Sequence, residues 1–256
     1  MSLLSQVEGT VAGHTAQADN ITNATDLSTV IGTLTGSQVI QTAAGSDEIN
    51  GGMGNDIIFG DSLNADALAV AHGLTTPAGA GWLVFQTLEG NSAYNWTRAD
   101  TVNYIQSHQA ELAVESGRTG GNDVLNGGSG DDYIYGQEGN DTITGGTGND
   151  VMSGGTGADT FVWHLADVPV GTTIDKVIDA NTGDTLNLSD LINDGATLKV
   201  DGVAWDGTTT LTVSGVTSHT VTATSADGQH IQVIEMNFAD TVNHTLADTG
   251  GVVKIG

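Results

Sequence analysis

A mainly β protein, built as a roll of short parallel strands stacked coil on coil, is what this sequence predicts, with a helical excursion and a β-rich carboxyl-terminal part. Three observations carry that expectation. Aspartates recur every nine residues at Asp123, Asp132, Asp141, Asp150 and Asp159. A large apolar residue follows each by two places: Leu125, Ile134, Ile143, Met152 and Phe161. Glycines crowd the stretch before each aspartate, as in "GGSGDD" and "GGTGND".

Each unit divides into a six-residue turn, GGxGxD, and a three-residue strand whose middle side chain faces inward. Glycine serves where the backbone needs positive φ or close approach. Two units complete one coil of a parallel β-roll, so turns 18 residues apart lie over one another. Upstream, "TAAGSDEIN" and "GGMGNDIIF" supply Asp47 with Ile49 and Asp56 with Ile58. Further back, Ile40 and Ile31 keep the inward position, while Gln38 and Thr29 occupy the aspartate slot. Residues 1–44 thus read as degenerate coils or as a β-rich amino-terminal cap.

Charge points the same way. Against 31 acidic residues there are 5 basic ones, a formal net charge of −26. Such a chain repels phosphate and lacks the basic stripe of a nucleic-acid binder. It has no means of adhering to an anionic membrane surface, and no run is apolar enough to span a bilayer. Self-repulsion opposes compaction unless something neutralises it. With no cysteine, neither disulfides nor thiolate metal sites are open to it. Stacked turns, however, bring aspartate carboxylates together with backbone carbonyls, such as those of Gly127, Gly128, Gly145 and Gly146. Hard oxygen donors in a flexible cage select Ca²⁺.

Between Gly60 and Gly120 the pattern disappears. "NADALAVAHGL" and "TRADTVNYIQSHQAELAVES" are rich in helix formers, and Thr97 followed by Asp100 resembles a capped helix start. Residues 62–117 therefore read as a helical insertion between a first repeat block, 45–61, and a second, 118–162. Its aromatics, Trp82, Phe85, Tyr94 and Trp96, form either the insertion's own core or a ligand pocket. If the chain leaves and returns at one edge, the stacked pairs are Asp47–Asp123, Asp56–Asp132, Asp123–Asp141, Asp132–Asp150 and Asp141–Asp159. That arrangement predicts about five interior Ca²⁺ ions; a roll broken in two would keep only the last three pairs. After Phe161 the repeats are expected to stop, and residues 163–256 to form a β-rich domain with alternating strands.

"GGSGDDYIY", "GQEGNDTIT" and "GGTGNDVMS" resemble the calcium-binding nonapeptide repeats of RTX proteins, a known β-helix signature. The resemblance implies a right-handed parallel β-roll. "GADTFVW", "DKVIDA" and "GDTLNLSDLI" further resemble the carboxyl-terminal region of large bacterial biofilm adhesins exported by type I secretion. Ala180 departs from the aromatic expected after Asp179. This likeness implies a secreted, cell-surface protein whose partner is the type I secretion machinery, with an uncleaved export signal in about the last sixty residues. The first twenty residues lack the basic end and apolar block of an amino-terminal secretory signal. The chain is expected to be monomeric.

No catalytic constellation appears. None of the seven histidines sits in HExxH, "GGSGD" is a repeat turn rather than a nucleophile elbow, and no phosphate-binding loop occurs. The expectation is a calcium-folded export module without enzyme activity. A glycan- or peptide-binding module using the aromatic insertion, or the tail of a secreted hydrolase, stands as the alternative.

Overall fold

The computed structural model describes residues 20–24, 39–42, 45–114, 120–205, 211–213, 218–238, 244–248 and 251–256. The roll contains β1 (Asn20–Ala24), β2 (Val39–Thr42), β3 (Glu48–Met53), β4 (Ile57–Phe59), β5 (Val124–Ser129), β6 (Tyr133–Tyr135), β7 (Thr142–Thr147), β8 (Val151–Ser153) and β9 (Thr160–Val162). Strands β1, β2, β4, β6 and β8 pair parallel in one sheet. Strands β3, β5, β7 and β9 pair parallel in the other.

The nine-residue period sets this register. Ile40, Ile58, Ile134 and Met152 stack in one sheet, and Ile49, Leu125, Ile143 and Phe161 in the other. None is more than 1% exposed. Each such side chain contributes roughly 1.5–3 kcal/mol through burial. Ile40 thereby extends the roll one strand before the aspartate repeats; Ile31, Gln38 and Thr29 lie outside the described residues. In the turns, Gly128 and Gly146 have φ of 104° and 102°, and a Cβ on Gly146 would strike the carbonyl of Gly128. Only glycine suits both demands.

The insertion does not break the roll. Stacked aspartates are 76 residues apart across it and 18 apart elsewhere, an excess of 58. The chain leaves after Asp61 and has rejoined the same turn by Gly120, so the splice lies inside a turn, not between units. Helices α1 (Asp66–Ala71), α2 (Trp82–Gly90), α3 (Arg98–Ser107) and α4 (Gln109–Leu112) fill the excursion. Thr97 and Asp100 form a reciprocal capping box at the start of α3. Leu63, Trp82, Phe85, Leu88, Ile105 and Leu112 pack with Ile57, Phe59 and Tyr135 on the outer face of the first sheet. Phe59 and Tyr135 stack at 5.2 Å. Trp82 and Phe85 are core residues, with Tyr94 and Trp96 half-buried against them.

The stack does not stop after Phe161. Strand β10 (Gly171–Ala180) pairs parallel with β8, placing Val177 on Met152. Strand β11 (Thr185–Asn187) pairs parallel with β9, placing Leu186 on Phe161. The domain boundary expected at residue 163 therefore cuts through a continuing coil, and one hydrophobic core runs from Ile40 to Ile255. The reason is a seven-residue lengthening of the loop, since the next aspartate–aspartate step is 25 residues rather than 18.

Beyond this coil come α5 (Ser189–Asn193), β12 (Thr197–Val200), β13 (Val203–Trp205), β14 (Leu211–Val213), β15 (Ser218–Thr224), β16 (His230–Phe238), β17 (His244–Asp248) and β18 (Val252–Ile255). Strand β16 joins β10, and β15, β12 and β13 follow antiparallel. Strands β18, β17 and β14 extend the second sheet, again antiparallel. Ala180 is 1% exposed and pairs with Phe238, so the neighbouring strand supplies the expected ring.

Candidate metal centres

Turns line both edges of the roll. One edge carries residues 51–56, 127–132 and 145–150. The other carries the interrupted turn, 60–61 with 120–123, then 136–141 and 154–159. In each turn the last residue is aspartate, and its two carboxylate oxygens do different work.

The Oδ1 atoms tie coil to coil. The backbone N–H of Asp47 donates to Asp123 Oδ1 at 2.8 Å, and that of Asp56 to Asp132 Oδ1 at 2.7 Å. Asp123 donates to Asp141, Asp132 to Asp150 and Asp141 to Asp159, at 2.8, 2.9 and 2.8 Å. The structure thus brings together all five sequence-predicted pairs, across the insertion as well as after it.

The Oδ2 atoms face inward. Those of Asp123, Asp132, Asp141 and Asp150 are buried and accept no hydrogen bond. Each lies beside the first glycine of its own turn, where a missing side chain leaves a notch. A Cβ on Gly51 would meet Asp56 Oδ2 at 2.6 Å and the carbonyl of Gly127 at 2.5 Å. A Cβ on Gly60, Gly127 or Gly136 would likewise collide with Asp123, Asp132 or Asp141 Oδ2. It would also meet the carbonyl of Gly136, Gly145 or Gly154, at 2.6, 2.5 and 2.7 Å. Each notch therefore presents a carboxylate from one coil and a carbonyl from the next. At Gly145 and Gly154 the nearest atoms belong to Asp150 and Asp159 alone.

Burial raises these carboxyls against their ordinary range. Asp123 and Asp150 are pushed up to about 8, Asp141 to about 7 and Asp132 to about 6. Backbone hydrogen bonds oppose the shift, and neighbouring carboxylates add to it. A dry, acceptor-only oxygen needs either a proton or a cation. Among the described residues no three acidic or histidine side chains converge on one point; half the donor set is main chain. All donors are hard oxygens, the chemistry of Ca²⁺ at 2.3–2.6 Å.

Asp47 differs. Thr42 stands where the other turns start with glycine, and its hydroxyl hydrogen-bonds the Gly60 carbonyl oxygen. The notch of this fifth pair is thus filled by a side chain.

Sequence reading missed two further aspartates. Asp150 N–H donates to Asp175 Oδ1 and Asp159 N–H to Asp184 Oδ1, at 2.9 and 3.0 Å. The signal was present: Asp175 and Asp184 are nine apart, each two places before an inward residue, Val177 or Leu186. Their Oδ2 atoms have partners. Trp163 Nε1 and Gln232 Nε2 donate to Asp175 Oδ2 at 2.7 and 2.9 Å, and Asn181 N–H donates to Asp184 Oδ2 at 2.8 Å. Neutral donors end both columns. A second ladder runs through the fifth turn position, where Asn122, Asn140, Asn55, Asp131 and Asn149 each accept from the next coil's N–H.

The RTX calcium-binding nonapeptide repeat (4 copies) matches residues 33–64, 119–152 and 134–161. The chain carries RTX repeats. The matched spans lie over the two repeat blocks, where the glycine notches and buried carboxylates are found. Comparison with curated proteins returned no match. RTX repeats are a calcium-binding type, and the all-oxygen donor set of the four complete notches fits that ion.

Proposed function

We propose that this chain is a calcium-dependent folding module of a secreted adhesin, unfolded in low-calcium cytosol and folded by Ca²⁺ outside the cell to promote type I export. The observation that carries the reading is the row of buried Oδ2 atoms of Asp123, Asp132, Asp141 and Asp150, which accept no hydrogen bond. Without cations these carboxylates must be protonated or repel one another; with cations they bind coil to coil.

The magnitude is sufficient. At calcium about 100-fold above a site's dissociation constant, each site stabilises the fold by about 2.7 kcal/mol. Whole domains are stable by about 5–15 kcal/mol, so a few sites decide whether the roll exists. A chain threading a secretion channel benefits from the unfolded state inside, and folding outside opposes its return. This reading leaves no catalytic role to the carboxylates, which are committed to the ladder and its cations.

Far-ultraviolet circular dichroism after chelator treatment tests the reading. A cooperative gain of β signal between about 10⁻⁴ and 10⁻³ M calcium, absent with magnesium, is expected. A spectrum already folded in chelator removes the switch. In cells, replacing the notch aspartates by asparagine should slow completion of export; unchanged secretion of that variant removes the export role.

A further inference from the structure

The interrupted turn differs from its neighbours. Its second residue is Asp61, where the corresponding positions of most turns hold glycine: Gly52, Gly128, Gly146 and Gly155. Asp61 is 7% exposed. Its Oδ1 is buried and accepts no hydrogen bond. Its Oδ2 accepts the N–H of Glu138 at 3.3 Å.

Two vacant side-chain positions in this one turn each meet a carboxylate oxygen and a carbonyl oxygen, a different pair at each. A Cβ on Gly60 would strike Asp123 Oδ2 and the Gly136 carbonyl, and one on Gly120 would strike Asp61 Oδ2 and the Glu138 carbonyl. Carboxylates from Asp61 and Asp123 therefore line one turn, over the first- and third-position carbonyls of the next coil. The Glu138 carboxylate is already engaged, accepting the Gly120 N–H at 2.9 Å.

Asp61 is also the base of the insertion. Ser62 O accepts from Gln137 Nε2 at 3.3 Å, and Leu63 is fully buried in the insertion's core. We infer that the interrupted turn holds a calcium ion with one more carboxylate than the consensus turns, supplied by Asp61, and that this ion fastens the root of the helical insertion to the roll. The inference rests on the reading of the notches as calcium sites. More ligand charge tightens calcium binding, so this site fills before the others.

Native mass spectrometry and amide hydrogen exchange at stepped free calcium test it, on the whole chain. The variants are Asp61→Asn, Asp61→Gly and, as a control on the exposed face of α4, Glu111→Gln. At limiting calcium both Asp61 variants should carry one ion fewer, with that site weakened on the order of tenfold. Exchange in α2 and α3 should rise with the loss, and saturating calcium should restore the wild-type spectrum. Asp61→Gly recreates the residue found in neighbouring turns, so it decides the matter if Asp61→Asn does not fold. Identical ion counts at every calcium concentration, or unchanged exchange in α2 and α3, overturn the role of Asp61 alone. Wild-type chain that takes up no calcium overturns the calcium reading itself.

Discussion

Each repeat aspartate serves two neighbours with two oxygens. Oδ1 holds the N–H of the preceding coil, a charge-assisted bond of about 1.5–3 kcal/mol, while Oδ2 waits beside a glycine. The notch makes the glycine as necessary as the acid. Gly127→Ala places a methyl group against Asp132 Oδ2 and the Gly145 carbonyl. We expect it to lose one calcium ion and, through overpacking, about 1–3 kcal/mol of stability, as read by urea unfolding at saturating calcium. Unchanged ion count and stability would remove the notch as a site. These aspartates were legible because their nine-residue period is unbroken within each repeat block. Asp175 and Asp184 were not, because a longer loop shifts the phase and Val170 and Asp179 stand where the repeat turns begin with glycine. The fifth-position ladder through Asn122 and Asn140 was hidden for a different reason: a hydrogen-bonding role accepts several residue types, so no single letter repeats.

The insertion is an element grafted into a turn. Its helices were legible from composition and from the Thr97–Asp100 cap. Its point of entry was not, since Asp61 and Gly120 read as the flanks of separate units until β3 is seen on β5 and β4 on β6. The graft covers Phe59 and Tyr135 with Trp82 and Phe85. Trp82→Ala should cost about 3–5 kcal/mol and loosen the helices first, so hydrogen exchange in α2 should accelerate more than exchange in β7. Equal acceleration in both would mean that helices and roll unfold as one unit. Joining Asp61 directly to Gly120 rebuilds a turn of ordinary length, and the excised chain should still gain β signal with calcium by circular dichroism. Failure to do so would make the insertion part of the roll's folding unit.

At the scale of the molecule, protons and calcium compete for one set of oxygens. The folded, metal-free values of Asp132, Asp141 and Asp150, about 6, 7 and 8, lie above the ordinary aspartate value of about 3.9. A carboxyl raised on folding stabilises the fold while it is protonated. That contribution is complete below about pH 4 and is lost as pH rises through the folded values, about 6 to 8. In chelator, therefore, the β signal should grow as pH falls from about 8 to about 5. A signal that falls over that range would contradict burial as the dominant cause.

A stack of identical coils has no inherent length; geometry alone lets it continue, and two copies meeting end on could share the next ion and begin a filament. The last coil forbids this. Trp163 and Gln232 occupy the oxygen of Asp175 that a further ion would need, and β16 lies along the open edge of β10. The indole and the amide thus act as a full stop: in calcium-rich surroundings they keep one molecule from becoming the template for the next.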